Sequence, residues 1–262
     1  MKKRTLAFCV TVLATASLLW SASCVNLFSV EDDENLGAQV DDEIQSNPGE
    51  YPLLKESDYP DAYDFLYDMR DQILDSGKVD HADDFPWQIK IIDDDSVLNA
   101  FSVPGGYLYF YTGLLKYLDT ADHLAGVMGH EIAHAAKRHV TEALTQQYGI
   151  ELLLQAALGN DLAIVQDIAG GLSGLAFSRD HESEADEFSV IYLAETDFAC
   201  DGTAGFFEKL IAEGEAGGTP EFLSTHPNPE NRVEDIHKKA DELGCDTTPS
   251  GVNYDAFKAS LP

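Results

Sequence analysis

The sequence predicts an α+β fold, mainly helical around one small β-sheet. Three observations carry that prediction. Apolar residues recur at spacings of three and four along most of the chain, the pattern of helices that bury one face. Between Trp87 and Tyr111 the period falls to two, and clusters of Asp, Pro and Gly cut the stretch into short runs, as strands and turns require. Hydrophobic residues make up 44% of the 262-residue chain, enough for a sizeable core in one domain, with or without an appendage.

Taken in order, residues 1–23 read as an export signal. Lys2, Lys3 and Arg4 precede an apolar run from Leu6 to Trp20 that is too short for a comfortable span, and Ser21, Ala22 and Ser23 lead to Cys24. Small residues directly before a cysteine resemble the lipobox of bacterial lipoproteins, which would anchor the chain to a membrane through lipid on Cys24. Residues 24–49 read as an acidic tether and a first amphipathic helix, with Leu36, Val40 and Ile44 at four-residue intervals. Residues 50–262 form the main domain. A second helix is expected from Ser57, as its cap, to Gly77, burying Tyr63, Leu66, Tyr67, Ile73 and Leu74. Strands follow at Trp87–Ile92, Val97–Val103 and Tyr107–Tyr111. Beyond Thr112 the chain turns helical, with Thr120 capping a helix that begins near Asp122 and further helices at Val140–Leu158 and Leu162–Phe177. The Gly, Pro and Thr residues between Gly214 and Pro220 read as a loop.

The helix after Thr120 carries His-Glu-x-x-His, formed by His130, Glu131 and His134. At about 100° per residue, His134 lies roughly 40° round the helix from His130 and Glu131 lies roughly 60° from His134. All three side chains can meet over one spot. Two imidazoles one turn apart make half of a zinc site, and the carboxylate between them is placed to take a proton from water at the metal. A catalytic zinc needs a third protein ligand. A histidine six residues beyond the second is excluded, because position 140 is Val140. His139 falls about 180° round the same helix from His130, which makes it a surface or supporting residue. Downstream, SRDHESEAD at Ser178–Asp186 places Glu182 and Asp186 one turn apart, so that Glu182 could complete the ligands while Asp186 holds an imidazole by its other nitrogen. In a chain with 47 acidic residues that spacing alone does not single out a ligand.

Four blocks in order bring a specific resemblance: Asn99–Leu115 (NAFSVPGGYLYFYTGLL), His130–His134, Ser178–Asp186, and Ser224–Arg232 (STHPNPENR). The chain resembles the zinc metallopeptidase family that includes the CAAX prenyl protease, the mitochondrial inner-membrane stress protease and the periplasmic beta-barrel assembly-enhancing protease. The resemblance implies a compact gluzincin, with zinc on His130, His134 and Glu182, and with Glu184 not a ligand. It implies Glu131 as the catalytic base, and a sheet-edge strand at Asn99, Ala100 and Phe101 that pairs with substrate backbone. It further implies that His226 can occupy the open zinc position at rest, then swing away or stabilise the oxyanion, and that Arg232 assists that charge. The membrane spans and the long C-terminal repeat module of other branches are not in the sequence, which points to the short lipoprotein peptidases of the bacterial envelope.

Charge narrows the partners. Asp and Glu outnumber Lys and Arg by 47 to 16, a net charge of −31, which repels nucleic acid. The expected partners are unfolded or misassembled polypeptides in the periplasm, at an outer membrane reached through Cys24. A binding-class alternative is an assembly factor or chaperone that keeps zinc for structure, against which Glu131 argues, since a structural site needs no base. No pattern specifies an oligomeric state. With Cys9 in the signal and Cys24 lipidated, Cys200 and Cys245 remain as an even pair, expected to be disulfide-bonded in an oxidising compartment.

Overall fold

The computed structural model describes residues 28–213, 221–226 and 231–262. Residues 1–27, with the expected export signal and Cys24, residues 214–220, where a loop is expected, and residues 227–230 lie outside the described residues. The chain opens with α1 (Val30–Ser46), whose capping box joins Ser29 and Asp32. Next comes α2 (Pro60–Leu74). It starts two residues later than a Ser57 cap predicts, because Pro60 needs no backbone donor partner and so suits a helix start, while the Ser57 hydroxyl bonds Asp58 instead. Of the five residues expected on its buried face, Tyr63, Leu66 and Ile73 are buried, whereas Tyr67 and Leu74 are half-buried.

Three strands follow: β1 (Gln88–Ile92), β2 (Ala100–Val103) and β3 (Tyr107–Tyr111). Their spatial order is β1-β3-β2, with β1 parallel and β2 antiparallel to β3. Side chains alternate between the faces of a strand, and here both faces are covered. Ile89, Ile91, Ala100, Leu108 and Phe110 join one apolar core with α2 and the central helices. Ile92, Phe101, Val103, Tyr107, Tyr109 and Tyr111 join a second core with Leu36, Val40 and Ile44 of α1.

After α3 (Thr112–Tyr117) comes the central helix α4 (Ala121–Ala136), capped by the Thr120 hydroxyl, which accepts from the His123 amide. Nearly all of α4 is buried. Its neighbour crosses so closely that a Cβ on Gly126 would stand 2.1 Å from the Thr203 nitrogen, so only glycine permits the approach. Where one helix was expected from Val140 to Leu158, two form: α5 (His139–Tyr148) and α6 (Ile150–Ala157), divided at Gly149 with φ of 83°. The next helix, α7 (Leu162–Gly171), gives way to a 3-10 turn at Leu172–Gly174 rather than reaching Phe177. Then follow α8 (Arg179–Leu193), capped by Ser178, α9 (Gly202–Glu213), α10 (Glu221–Thr225), α11 (Arg232–Leu243) and α12 (Tyr254–Lys258). Cys200 and Cys245 are disulfide-bonded, tying the turn before α9 to the end of α11. Among the described residues, no helix is long and apolar enough to cross a membrane.

Candidate metal centre

The last two turns of α4 present His130 and His134 toward the N-terminal half of α8, where Glu182 and Asp186 stand one turn apart and buried. Their imidazole Nε2 atoms are 3.0 Å apart. Glu182 Oε1 lies 3.3 Å from His134 Nε2, and Glu182 Oε2 lies 3.6 Å from His130 Nε2. From the end of α10, His226 adds its Nδ1 at 3.0 Å from Glu182 Oε1 and 3.3 Å from His130 Nε2. One donor atom from each of these four residues falls within 4.8 Å of the other three.

These separations test whether zinc fits. Bonds of about 2.0–2.1 Å in a tetrahedron place donor atoms about 3.3 Å apart, and the four separations that link His130 Nε2, His134 Nε2, Glu182 Oε1 and His226 Nδ1 in a ring run from 3.0 to 3.3 Å. The imidazole chemistry agrees. His130 Nδ1 bonds Asp186 Oδ1 at 2.9 Å, so the proton sits on Nδ1 and the Nε2 lone pair points at the cluster. His134 Nδ1 is likewise engaged, by His139 Nδ1 at 3.1 Å. Two lone pairs facing each other at 3.0 Å in a buried site repel unless a cation lies between them. The donor set therefore suits zinc.

Electrostatics separates the roles. Burial holds His134 well below the usual imidazole range, keeping it neutral as a ligand must be. Burial also pushes Glu182 up, but the imidazoles of His226, His134 and His130 around it outweigh that, and its carboxyl is held well below the ordinary carboxylate range. Glu131 differs. It is fully buried, neither carboxylate oxygen has a hydrogen-bond partner, and burial raises its pKa. Its Oε1 is 3.5 Å from His226 Nε2, and it is not among the four converging donors.

Arg232, the first residue of α11, braces the carboxylates of Glu182 and Asp186. Its Nε and Nη2 donate to Asp186 at 2.5 and 2.8 Å, and Nη2 lies 2.9 Å from Glu182 Oε2. The guanidinium rests on the Phe207 ring and is buried.

Asn99, Ala100 and Phe101 lie at and beside the β2 edge of the sheet, yet all are buried. Asn99 Nδ2 donates to the Ser173 carbonyl at 3.0 Å, and the Phe222 amide donates to the Leu98 carbonyl at 3.1 Å, so the 3-10 turn and α10 lie over that edge. Phe177 stacks on His134 at 3.9 Å and Phe222 stacks on His226 at 4.2 Å. Glu131 and the four converging donors are at most 1% exposed, so a substrate reaches them only when this cover moves.

His139 is where helical periodicity misleads. The spacing predicts a helix that continues through it, but α4 ends at Ala136 and Arg138 takes a left-handed backbone with φ of 65°. The chain folds back, and His139 opens α5 against His134 instead of facing away. Burial and the adjacent His181 lower its pKa to about 4, so the ring is neutral. No local signal in the sequence marks the two covering phenylalanines, since their contacts span distant segments.

The chain matches known proteins over this region. Residues 68–240 match the model of Peptidase family M48. Over 188 residues the chain is 32% identical to the beta-barrel assembly-enhancing protease of Escherichia coli (strain K12), covering 66% of this chain and 38% of that protein. It is 34% identical over 160 residues to the putative beta-barrel assembly-enhancing protease of Vibrio cholerae, covering 56% of this chain and 33% of the relative. The mitochondrial metalloendopeptidase OMA1 of Saccharomyces cerevisiae is 29% identical over 188 residues, covering 67% of this chain and 54% of the relative. The chain thus spans less than two fifths of the length of these bacterial relatives.

Proposed function

The chain belongs to peptidase family M48, and from that premise we propose that it is a zinc-dependent endopeptidase of the bacterial cell envelope that cleaves unfolded or misassembled envelope proteins. The observation that carries the chemistry is the buried convergence of His130, His134, Glu182 and His226, with Glu131 beside it holding no hydrogen bond. When bound, zinc supplies a Lewis acid that polarises a carbonyl and lowers the pKa of water. Glu131 removes the proton from the attacking water as the C–O bond forms. It then delivers that proton to the amine nitrogen as the C–N bond breaks. Its raised pKa brings proton gain and loss nearer neutrality than for an ordinary carboxylate. Asp186 and Arg232 keep His130 and Glu182 aimed while the proton moves.

His226 has a separate task in this reading. With its Nδ1 among four converging donors, zinc held by all four would have no position open to water or carbonyl, so in this reading the arrangement is a resting one from which His226 withdraws. Withdrawal of α10 would also uncover the β2 edge, where an extended polypeptide could pair by its main chain. Such pairing reads backbone more than side chains, which suits unfolded substrates. The envelope location is supported by the leader-like residues 1–23 and by the bacterial relatives, and the lipid anchor by the small residues Ser21, Ala22 and Ser23 before Cys24.

The test is mass spectrometry of a permanently unfolded model protein incubated with the zinc-loaded chain and with chelator-treated chain. Internal cleavages that appear only with zinc are expected. Binding without cleavage would contradict the proposal and favour an assembly factor.

A further inference from the structure

We propose that His139 is a positioning residue for the metal ligand His134, and that Glu184 sets His139 in turn. The inference rests on the reading of His134 as a zinc ligand. His134 turns Nε2 toward the donor cluster, which leaves Nδ1 as its other polar atom. That Nδ1 lies 3.1 Å from His139 Nδ1. Two imidazole nitrogens at this distance share one proton. With the His134 Nε2 lone pair committed to the metal, its Nδ1–H donates and His139 Nδ1 accepts. The His139 proton then belongs on Nε2, where Glu184 Oε2 accepts it at 3.3 Å. The direction of each bond is fixed from both ends.

Stacking fixes the ring planes. Phe177 lies on His134 at 3.9 Å with 25° between planes, and His181 lies on His139 at 4.4 Å with 8°. Neither imidazole can turn without displacing an aromatic neighbour. His181 is itself held, with Nε2 3.1 Å from Glu142 Oε2.

The two ligand imidazoles are therefore supported differently. His130 has a carboxylate directly on its Nδ1, that of Asp186. His134 has a ring there, with the carboxylate one step further out and 47% exposed. The cluster already buries Glu131, Glu182 and Asp186, and a fourth carboxylate in direct contact would add repulsion and a desolvation cost. Routing Glu184 through His139 orients the ligand and raises its basicity while leaving the fourth charge in solvent.

Zinc affinity of the full chain, measured by competition with a chromophoric chelator, tests the proposal. His139→Leu, which fills the space without an acceptor, should lose about 10- to 100-fold in affinity. His139→Asn should recover most of the loss, because its Oδ1 can stand where Nδ1 accepts. Glu184→Gln should weaken binding alone but add nothing in the His139→Leu background. Nitrogen-15 NMR of the zinc-loaded wild type gives a readout independent of folding of the variants, with His139 protonated at Nε2 and His134 at Nδ1. Affinity unchanged in His139→Leu, equal losses in the Leu and Asn variants, or His139 protonated at Nδ1 would overturn the proposal while leaving His134 a ligand. Failure of the wild type to bind zinc would overturn both.

Discussion

Removing the Cys200–Cys245 bond should destabilise the protein by about 4 kcal/mol, through the unfolded chain more than through the folded one. The two cysteines are separated by 45 residues. In the chain-entropy model a loop of that length contributes about 4 kcal/mol at 25 °C. The folded state has other ties across the same seam. The Cys200 amide donates to the Asp246 carbonyl at 2.9 Å, and the Asp122 carboxylate accepts from the amides of Ala199 and Ser250 at 2.9 and 3.1 Å. These bonds hold the segments in register without the sulfur link, so the reduced protein should keep its fold. For a domain of this size each kcal/mol is worth about 2–4 °C, which predicts a fall in Tm of about 8–16 °C. Denaturant unfolding of the oxidised chain against Cys200→Ala/Cys245→Ala measures the difference. A loss below about 1 kcal/mol, or labelling of both thiols in unreduced, denatured protein, would refute the reasoning.

Arg232→Met leaves Asp186 and Glu182 buried without their cation and should cost about 3–5 kcal/mol in the zinc-free protein, with partial recovery on adding Asp186→Asn; denaturant titration checks both. His226→Ala should still bind zinc through three ligands, more weakly, and should cleave faster at saturating zinc because the fourth corner is open; slower cleavage would mean that His226 assists catalysis instead of blocking it. Burial lowers the pKa of His123 below 6.5, outweighing the pull of Asp119 and Asp122 toward the charged form. As pH falls through 6.5 the unfolded chain takes up a proton at this site before the folded chain does, so its contribution is full above 6.5 and is lost on acidification. Melting curves from about pH 8 to about pH 5 should therefore fall less steeply for His123→Leu than for wild type.

Elements whose cause is local were legible. Tyr107–Tyr111 forms β3 as read, because Pro104, Gly105 and Gly106 punctuate its start and its alternate side chains enter two different cores. Thr120 and Ser178 cap α4 and α8, which sets the registers that turn His130, His134, Glu182 and Asp186 inward. Errors arose where apolar spacing continues through a backbone break. Leucines and alanines run on past Gly149, so the hinge between α5 and α6 was hidden in an otherwise helical pattern. Arg138 breaks α4 in a left-handed conformation that few non-glycine residues adopt, and the true position of His139 follows from it. The cover over the metal centre was illegible for another reason. Phe177 and Phe222 reach His134 and His226 from separate segments, and nothing in the spacing of either one indicates the meeting.

In the proposed mechanism the buried carboxylate of Glu131 performs the proton transfers of peptide hydrolysis without holding the metal. Turnover of zinc-replete Glu131→Gln on an unfolded protein, with metal content determined on the same sample, tests it most directly. One zinc per chain with cleavage reduced at least about 100-fold is predicted, in line with the loss of a general base. Cleavage at the wild-type rate, or loss of zinc from the variant, would contradict the account.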